Sequence, residues 1–591
     1  MDIPIGEVIS VKGVKIILNI FEESSKEVLF YKGEKYKGIS IREFIIIQRG
    51  FVDIVCAVEG EFLDESSFIE KNSEKKYIRK IEVKPIGYFK NGKFNEGIKF
   101  LPMIKDAVFL ITEDKITKIY SKRVDNNFII GEMLKEGLPV SLPWQKLFNS
   151  HIGIFGNTGS GKSNTLAKLF TLLFDKKKHA IRGNSFFTIL DFNGEYTRDQ
   201  LISAIDKKVY NLNTSSENSD KFPLHGDFFW NTEILSILFK ATEGTQKPFI
   251  SRLVRGREKF NDNPDSLLNY LKSSFKRAFT TTSPKRESLE LLKQISIFID
   301  AAELTHELNQ LQWFGGGQNP TFKYGNTNTY FNGNEEPYDR IFRDLVNALT
   351  LNNIDPFDEL FIRINLQLIN DLLSEYVQFD FIQPLLKRVE DSTASLKRVI
   401  SFIQGNHQQK LLTVVSLRKC NQDIKKILPL LIAKQTYELH KKDVSTPPNK
   451  TVHLIIDEAH NILSQQSVRE QTSWKDYRLE LFEEIIKEGR KFGMYLTIAS
   501  QRPADISPTV MSQLHNFFLH RLVNDKDLLL IDNSLSTLDR LSKEMIPSLP
   551  TGSCIVTGTS FNIPLVIQVE QLSNANRPDS EDVNLDELWE G

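Results

Sequence analysis

Cysteine is scarce in this sequence. Cys56, Cys420 and Cys554 stand alone and far apart, so they build no disulfide framework and no metal spacing. They read as core or surface thiols of a reducing compartment, and the expected location is the cytoplasm. No apolar run approaches the ~18 residues of a membrane-spanning helix, and no basic-then-apolar leader opens the chain, so neither a membrane span nor secretion is indicated. An excess of charge of either sign is missing too. With 75 Lys and Arg against 76 Asp and Glu, the formal net charge is −1, which does not advertise a nucleic-acid binder. Neutrality still leaves room for a narrow basic surface such as the pore of a ring. The stretch 245–300 is richer in Lys and Arg than in Asp and Glu, and it reads as a solvated helical face rather than a DNA track.

What is present is a loop built for phosphates. "HIGIFGNTGSGKSNT" holds Gly156, Gly161, Lys162 and Ser163 at the spacing G-x-x-x-x-G-K-S. Glycines let backbone N–H groups point inward, the lysine puts a point charge on the β- and γ-phosphates, and the serine offers a hydroxyl to Mg²⁺. "HIGIF" reads as a buried strand, and Leu166, Leu169, Phe170 and Leu173 recur at helical spacing after the loop. The helix N-terminus therefore faces the anion. The expected nucleotide-binding residues are Gly156, Asn157, Thr158, Gly159, Ser160, Gly161, Lys162, Ser163 and Asn164, with ATP and Mg²⁺ as ligands.

A length of 591 residues predicts roughly three to four domain-sized units. Residues 1–125 are rich in short β runs, including "EVISVKGVKIILNI" turning at Lys12-Gly13 and "DAVFLITEDKITKIY", and suggest a small barrel or sandwich. A connection follows, ahead of the phosphate loop. Residues 146–225 and 411–565 alternate strands with helices, the pattern of an α/β fold with a parallel sheet. A mainly helical insertion, 226–410, separates them. Its stretch "FGGGQNPTFKYGNTNTYFNGNEEPYD" reads as a loop. Residues 566–591 form an acidic tail, in which Leu585, Leu588 and Trp589 make a small apolar face that could dock on a partner.

Apolar strands ending in polar residues put a site along one edge of the sheet. "LIIDEAH" ends in Asp457 and Glu458. An acid there holds Mg²⁺ with Ser163, and its neighbour polarises the attacking water. His460 reads as a polar residue at a helix start. Gln501 ends the strand in "TIASQRP", where its amide would sense the γ-phosphate. Arg490, in "EGRKFG", is either a finger for a neighbour's site or a cation favoured at a helix C-terminus.

"GNTGSGKSNT", "DFNGEY", "LIIDEAHNIL", "EGRKFG", "ASQRP" and "HRLVNDKD" occur in this order, behind a β-rich domain. Together they resemble the HerA family of ATPases, relatives of FtsK-type DNA pumps. The resemblance implies a RecA-like parallel-sheet core, an N-terminal HAS barrel, a homo-hexamer around double-stranded DNA, and ATP hydrolysis at subunit boundaries. It implies that Lys162 and Ser163 are the phosphate-loop pair, that Asp457 and Glu458 bind Mg²⁺ and activate water, and that Arg490 completes a neighbour's site. Glu195, in the G-E-Y element, would couple or position water. The implied partner is a NurA-type nuclease or, in an anti-phage defence complex, a sirtuin-like or other effector. The function expected is DNA translocation or unwinding; the alternative is a scaffold whose ring activates an effector without processive movement.

Overall fold

The computed structural model describes residues 3–579, except 25–27, 32–33, 67–75, 121–127, 261–262, 316–319, 332, 404–409, 466–471, 536–537 and 562, together with Leu588 and Trp589. Leu585 lies outside the described residues. The chain divides into two units. One comprises 1–179, 497–504 and 511–577, the other 180–496, 505–510 and 578–591.

The first unit begins with a closed barrel. Six antiparallel strands, Pro4–Lys12, Lys15–Ile20, Phe44–Arg49, Val52–Ser66, Lys76–Lys90 and Ala107–Leu110, pair in a ring that closes where Ile16 meets Val83 and Leu18 meets Ile81. Closure leaves no edge among them to aggregate. Alternate residues point inward, so Val8, Ile16, Leu18, Ile45, Ile47, Ile54, Val58, Ile81, Val83 and Val108 fill the interior, each burial worth about 1.5–3 kcal/mol. The hairpin at Lys12-Gly13 is present, with Gly13 at φ +61°. The reading of 106–120 as β structure is corrected beyond Leu110: Glu113–Tyr120 is a helix that buries Ile119 against Val55 and Phe89. Ile116 and Ile119 recur at helical spacing, and tertiary packing overrides their β preference.

The connection ahead of the phosphate loop is also more than a connection. Ile129–Met133 and Pro139–Ser141 are strands, and the first pairs with Leu565–Val569. Gly131 is required there, because a Cβ would lie 2.0 Å from Gln568 O. The core sheet of this unit thus starts near residue 128. Its phosphate-loop strand, Ile152–Phe155, is flanked by parallel strands, Met494–Ser500 on one side and Asn516–Leu519 on the other. Antiparallel strands Ser553–Gly558 and Leu565–Val569 extend it.

In the second unit four parallel strands run in the order Thr451–Ile456, Ser185–Asp191, Leu412–Lys419, Lys207–Asn213. The fold is α/β, a parallel-sheet nucleotide-binding core with an N-terminal barrel. The insertion leaves after Phe222–His225 and returns through Ile400–Ile403, two strands paired in parallel. Helix Pro356–Leu373 lies at its centre, packed on Ser266–Thr280, Arg286–Phe298 and Phe379–Val399. The Gly- and Asn-rich stretch read as a loop holds strands. Leu311–Phe314, Thr321–Tyr324 and Tyr330–Phe331 make an antiparallel sheet whose Phe322 and Phe331 are buried against Phe279. Its aromatic residues had a core to cover, which turn-residue content alone does not reveal.

The basic stretch 245–300 is largely paired within the insertion. Arg252 bonds Asp371, Arg257 bonds Glu359, Lys276 bonds Glu335 and Lys285 bonds Glu375, at 2.7–3.0 Å. Lys272 donates to Asn347 O and Arg277 to Asn370. These cations hold helices together. Among the described residues no helix is long and apolar enough to cross a membrane.

Candidate functional site

The phosphate loop of the first unit joins Ile152–Phe155 to the helix Lys162–Ile181. Gly159 and Gly161 have φ of +72° and +104°, a region that costs an L side chain about 1–2 kcal/mol. Gly161 is needed a second time, since a Cβ would approach Gly552 Cα to 2.8 Å. The loop is tied at both ends. Gly156 N–H donates to Ser500 O (3.3 Å), Asn157 N–H to Arg521 O (2.9 Å), and Gly552 N–H to Ser160 O (2.9 Å). Ser160 Oγ donates to Asn157 O at 2.7 Å. Lys162 is buried at the start of the helix, while Thr158 and Gly159 are exposed at the loop tip. Such a rigid glycine turn ahead of a helix N-terminus suits an anion.

Two residues expected at the nucleotide are already engaged. Thr158 Oγ1 donates to Gln501 Oε1, so the strand-end amide reaches the loop tip. Asn164 Nδ2 donates to Glu570 O (3.2 Å) and its Oδ1 accepts from Leu572 N–H (3.2 Å). The segment after the last strand therefore lies along the first turn of the phosphate helix, and Lys168 bonds Glu570 at 2.7 Å.

In the second unit, Leu190 and Ile456 are register partners, so Asp191 and Asp457 leave adjacent strands at one level. Both are buried. Asp191 accepts N–H bonds from Gly194 (2.7 Å), Glu195 (3.1 Å) and Tyr196 (3.0 Å). Burial pushes its carboxyl above the usual range, and the three donors pull the other way. That capped turn presents Glu195, whose Oε1 accepts from Asn193 at 3.2 Å. Glu195 Oε2 is buried with no hydrogen-bond partner among the described residues.

Glu458 is buried and has φ +51°. Its N–H donates to Asp457 Oδ1 at 3.0 Å, and its carbonyl accepts from Asn461 N–H and Nδ2, both at 3.0 Å. Strained non-glycine backbone of this kind collects at functional sites. His460 does start a short helix, but its Nδ1 also lies 3.2 Å from Glu458 Oε2, a contact that the reading of His460 as a helix-start residue missed. Arg490 is exposed in the 3-10 turn Gly489–Phe492. The turn is clamped by His440, whose Nε2 lies 2.7 Å from Phe492 O. Another residue that sequence reading assigned no role is His520, the first residue of "HRLVNDKD", which is buried against the phosphate loop. No local signal marks it, because its partner Thr165 is 355 positions away.

Comparison with known proteins adds family. Residues 128–313 match the model described as Helicase HerA, central domain, a span that includes the phosphate loop and the G-E-Y turn. A probable helicase of Methanocaldococcus jannaschii is 23% identical over 79% of this chain and 74% of its own length. The DNA double-strand break repair helicase HerA of Sulfurisphaera tokodaii is 22% identical over 83% of this chain and 77% of its own. The solved structure of VirB4 from Thermoanaerobacter pseudethanolicus, 12% identical, covers 76% of this chain and 97% of that one with a TM-score of 0.44. With residues 128–313 matching the HerA central domain, the length shared with these helicases and a glycine loop opening onto a buried helix, this chain is similar to the HerA helicases and is an ATP hydrolase.

Proposed function

We propose that the chain is the motor subunit of a ring, a homo-hexamer, that spends ATP on moving along double-stranded DNA in service of an effector. In this reading the N–H groups of 156–163 cradle the phosphates and Lys162 neutralises the β- and γ-oxygens. Glu458, with His460 beside it, takes the proton of the attacking water as its oxygen bonds the γ-phosphorus and the β–γ bridge breaks, giving ADP and phosphate. Gln501 reads the γ-phosphate through the contact it shares with Thr158, and Glu195 helps position the water. Ser163 and Asp457 supply a hydroxyl and a buried carboxylate, hard oxygen donors suited to Mg²⁺. When bound, Mg²⁺ adds charge neutralisation on the phosphates.

The observation that carries the ring is Arg490, exposed and presented by a turn clamped from behind. An arginine offered outward serves a neighbour's phosphates, which couples hydrolysis to assembly. The test mixes two dead proteins. Arg490→Ala alone is expected to lose about 10³-fold in turnover, and Lys162→Ala alone to lose ATP turnover altogether. Mixed hexamers contain boundaries where an intact Lys162 meets an intact Arg490, and these should regain part of the activity. Near-wild-type turnover by Arg490→Ala would remove the finger.

DNA as the track is supported by the HerA relatives, named as DNA double-strand break repair helicases. The partner would be a NurA-like nuclease or a sirtuin-like or other defence effector. One observation favours the scaffold reading: the basic stretch 245–300 is spent largely on ion pairs inside the insertion. Duplex DNA that stimulates turnover supports the motor. A ring that activates its effector while carrying Lys162→Ala supports the scaffold.

A further inference from the structure

His520 follows the strand Asn516–Leu519, which lies parallel to the phosphate-loop strand. Its N–H donates to Phe155 O at 2.7 Å, and its side chain is fully buried. A Cβ on Gly156 would stand 2.4 Å from His520 Cβ, and one on Gly161 would stand 3.5 Å from His520 Cε1. One residue therefore lies against both ends of the loop, its Cβ at Gly156 and its ring at Gly161. Its Nε2 shares a hydrogen bond of 2.9 Å with Thr165 Oγ1. Thr165 in turn donates its N–H to Gly161 O at 3.0 Å, so the ring, the first helical turn and the last loop glycine form one connected set.

An aliphatic side chain would fill the same space without a buried polar ring to satisfy. Burying polar groups is costly unless they are bonded, so an imidazole here calls for a role. Burial holds the ring neutral, pushing it down to about 4. The backbone of Ser553 and Ser160 opposes the shift and the charge of Lys162 adds to it. A neutral ring has one donor and one acceptor nitrogen, and it leaves Lys162 as the cation of the loop.

We propose that His520 is a positioning residue for nucleotide binding: it spaces Gly156 from Gly161 and anchors Thr165, so the loop keeps its phosphate-binding curvature before nucleotide arrives. A cradle formed in advance saves the ordering cost at binding. The proposal rests on the loop being the phosphate site. It is tested on the full chain by ADP titration and by melting without nucleotide. His520→Leu, which keeps most of the volume and removes the nitrogens, should weaken ADP binding by roughly tenfold or more. Thr165→Val should weaken it in the same direction, and the double variant should be no weaker than His520→Leu alone. His520→Gln, whose amide can reach Thr165, should recover most of the affinity. A purely structural histidine would lower the nucleotide-free melting temperature and leave ADP affinity of the folded protein unchanged. ADP affinity within about twofold of the parent in both His520→Leu and Thr165→Val overturns the proposal, as does a loss in His520→Leu that Gln does not repair. If His520→Leu fails to fold, Thr165→Val decides, and unchanged affinity there overturns it. Lys162→Ala separates the premises. Undiminished ADP binding by that variant removes the loop reading itself, whereas its loss beside unaffected His520 and Thr165 variants removes only the role of His520.

Discussion

Glu458 combines burial, a left-handed backbone and a histidine on its carboxylate. The backbone and the carboxylate can be separated by substitution. Glu458→Gln keeps the shape and removes the base, so ATP should still bind while turnover falls by about 100-fold or more. Glu458→Gly and Glu458→Ala should both be inactive, yet the glycine variant should be the more stable of the two by about 1 kcal/mol, because only glycine takes φ +51° without strain. Urea melts of the pair check this, and equal stability would mean the strain is absorbed elsewhere. His460→Ala should lower kcat and leave ADP affinity intact, since its ring lies beside the carboxylate of Glu458. The cysteines are core thiols. Burial raises all three, Cys420 to about 11, so a thiol reagent at pH 8 should label the native protein far more slowly than the urea-unfolded one. At this scale the sequence marked the glycine loop ahead of a helix and the acids that end strands, because type and spacing carry that information. It could not reveal φ at Glu458, the His460 contact or His520, which depend on how distant segments meet.

The arginine turn is the element on which the ring reading depends. Gly493 closes it with φ +77°, and a Cβ there would approach Lys450 O to 2.7 Å. Gly493→Ala should therefore cost roughly 1–3 kcal/mol and reduce turnover by displacing Arg490. A variant with parental stability and activity would show that the turn tolerates movement. Strands with polar ends, such as Thr451–Ile456 before Asp457, were legible because a buried parallel strand has a short, continuous apolar signature. The helix Glu113–Tyr120 was not, because its isoleucines favour strands locally, while Ile119 is buried against Val55 and Phe89. The strands Ile129–Met133 and Pro139–Ser141 escaped for the opposite reason. They are short, and the strand that ties Ile129–Met133 into the sheet comes more than four hundred residues later, at Leu565–Val569.

Across the whole chain, the tail divides at Asp579. Asp579 N–H donates to Glu195 O at 2.9 Å and its carboxylate meets Arg198 at 3.2 Å, whereas Leu588 and Trp589 are exposed. A protein ending at Asp579 should keep its intrinsic ATP turnover, and one ending at Arg577 should lose part of it by loosening the turn that carries Glu195. Equal turnover by the two would detach the tail from that turn. If the exposed end serves assembly, the longer truncation product should also show a weakened hexamer or weakened effector binding by mass measurement. Composition and periodicity mark the insertion as helical spacing that interrupts the βα alternation. What composition does not give is how the insertion is spliced in. Phe222–His225 and Ile400–Ile403 pair in parallel and in register, so the exit and the return are about 10 Å apart. The helical module is therefore a cassette. Its length can vary at a small loop-closure cost, so long as the crossover that two parallel strands require stays in place.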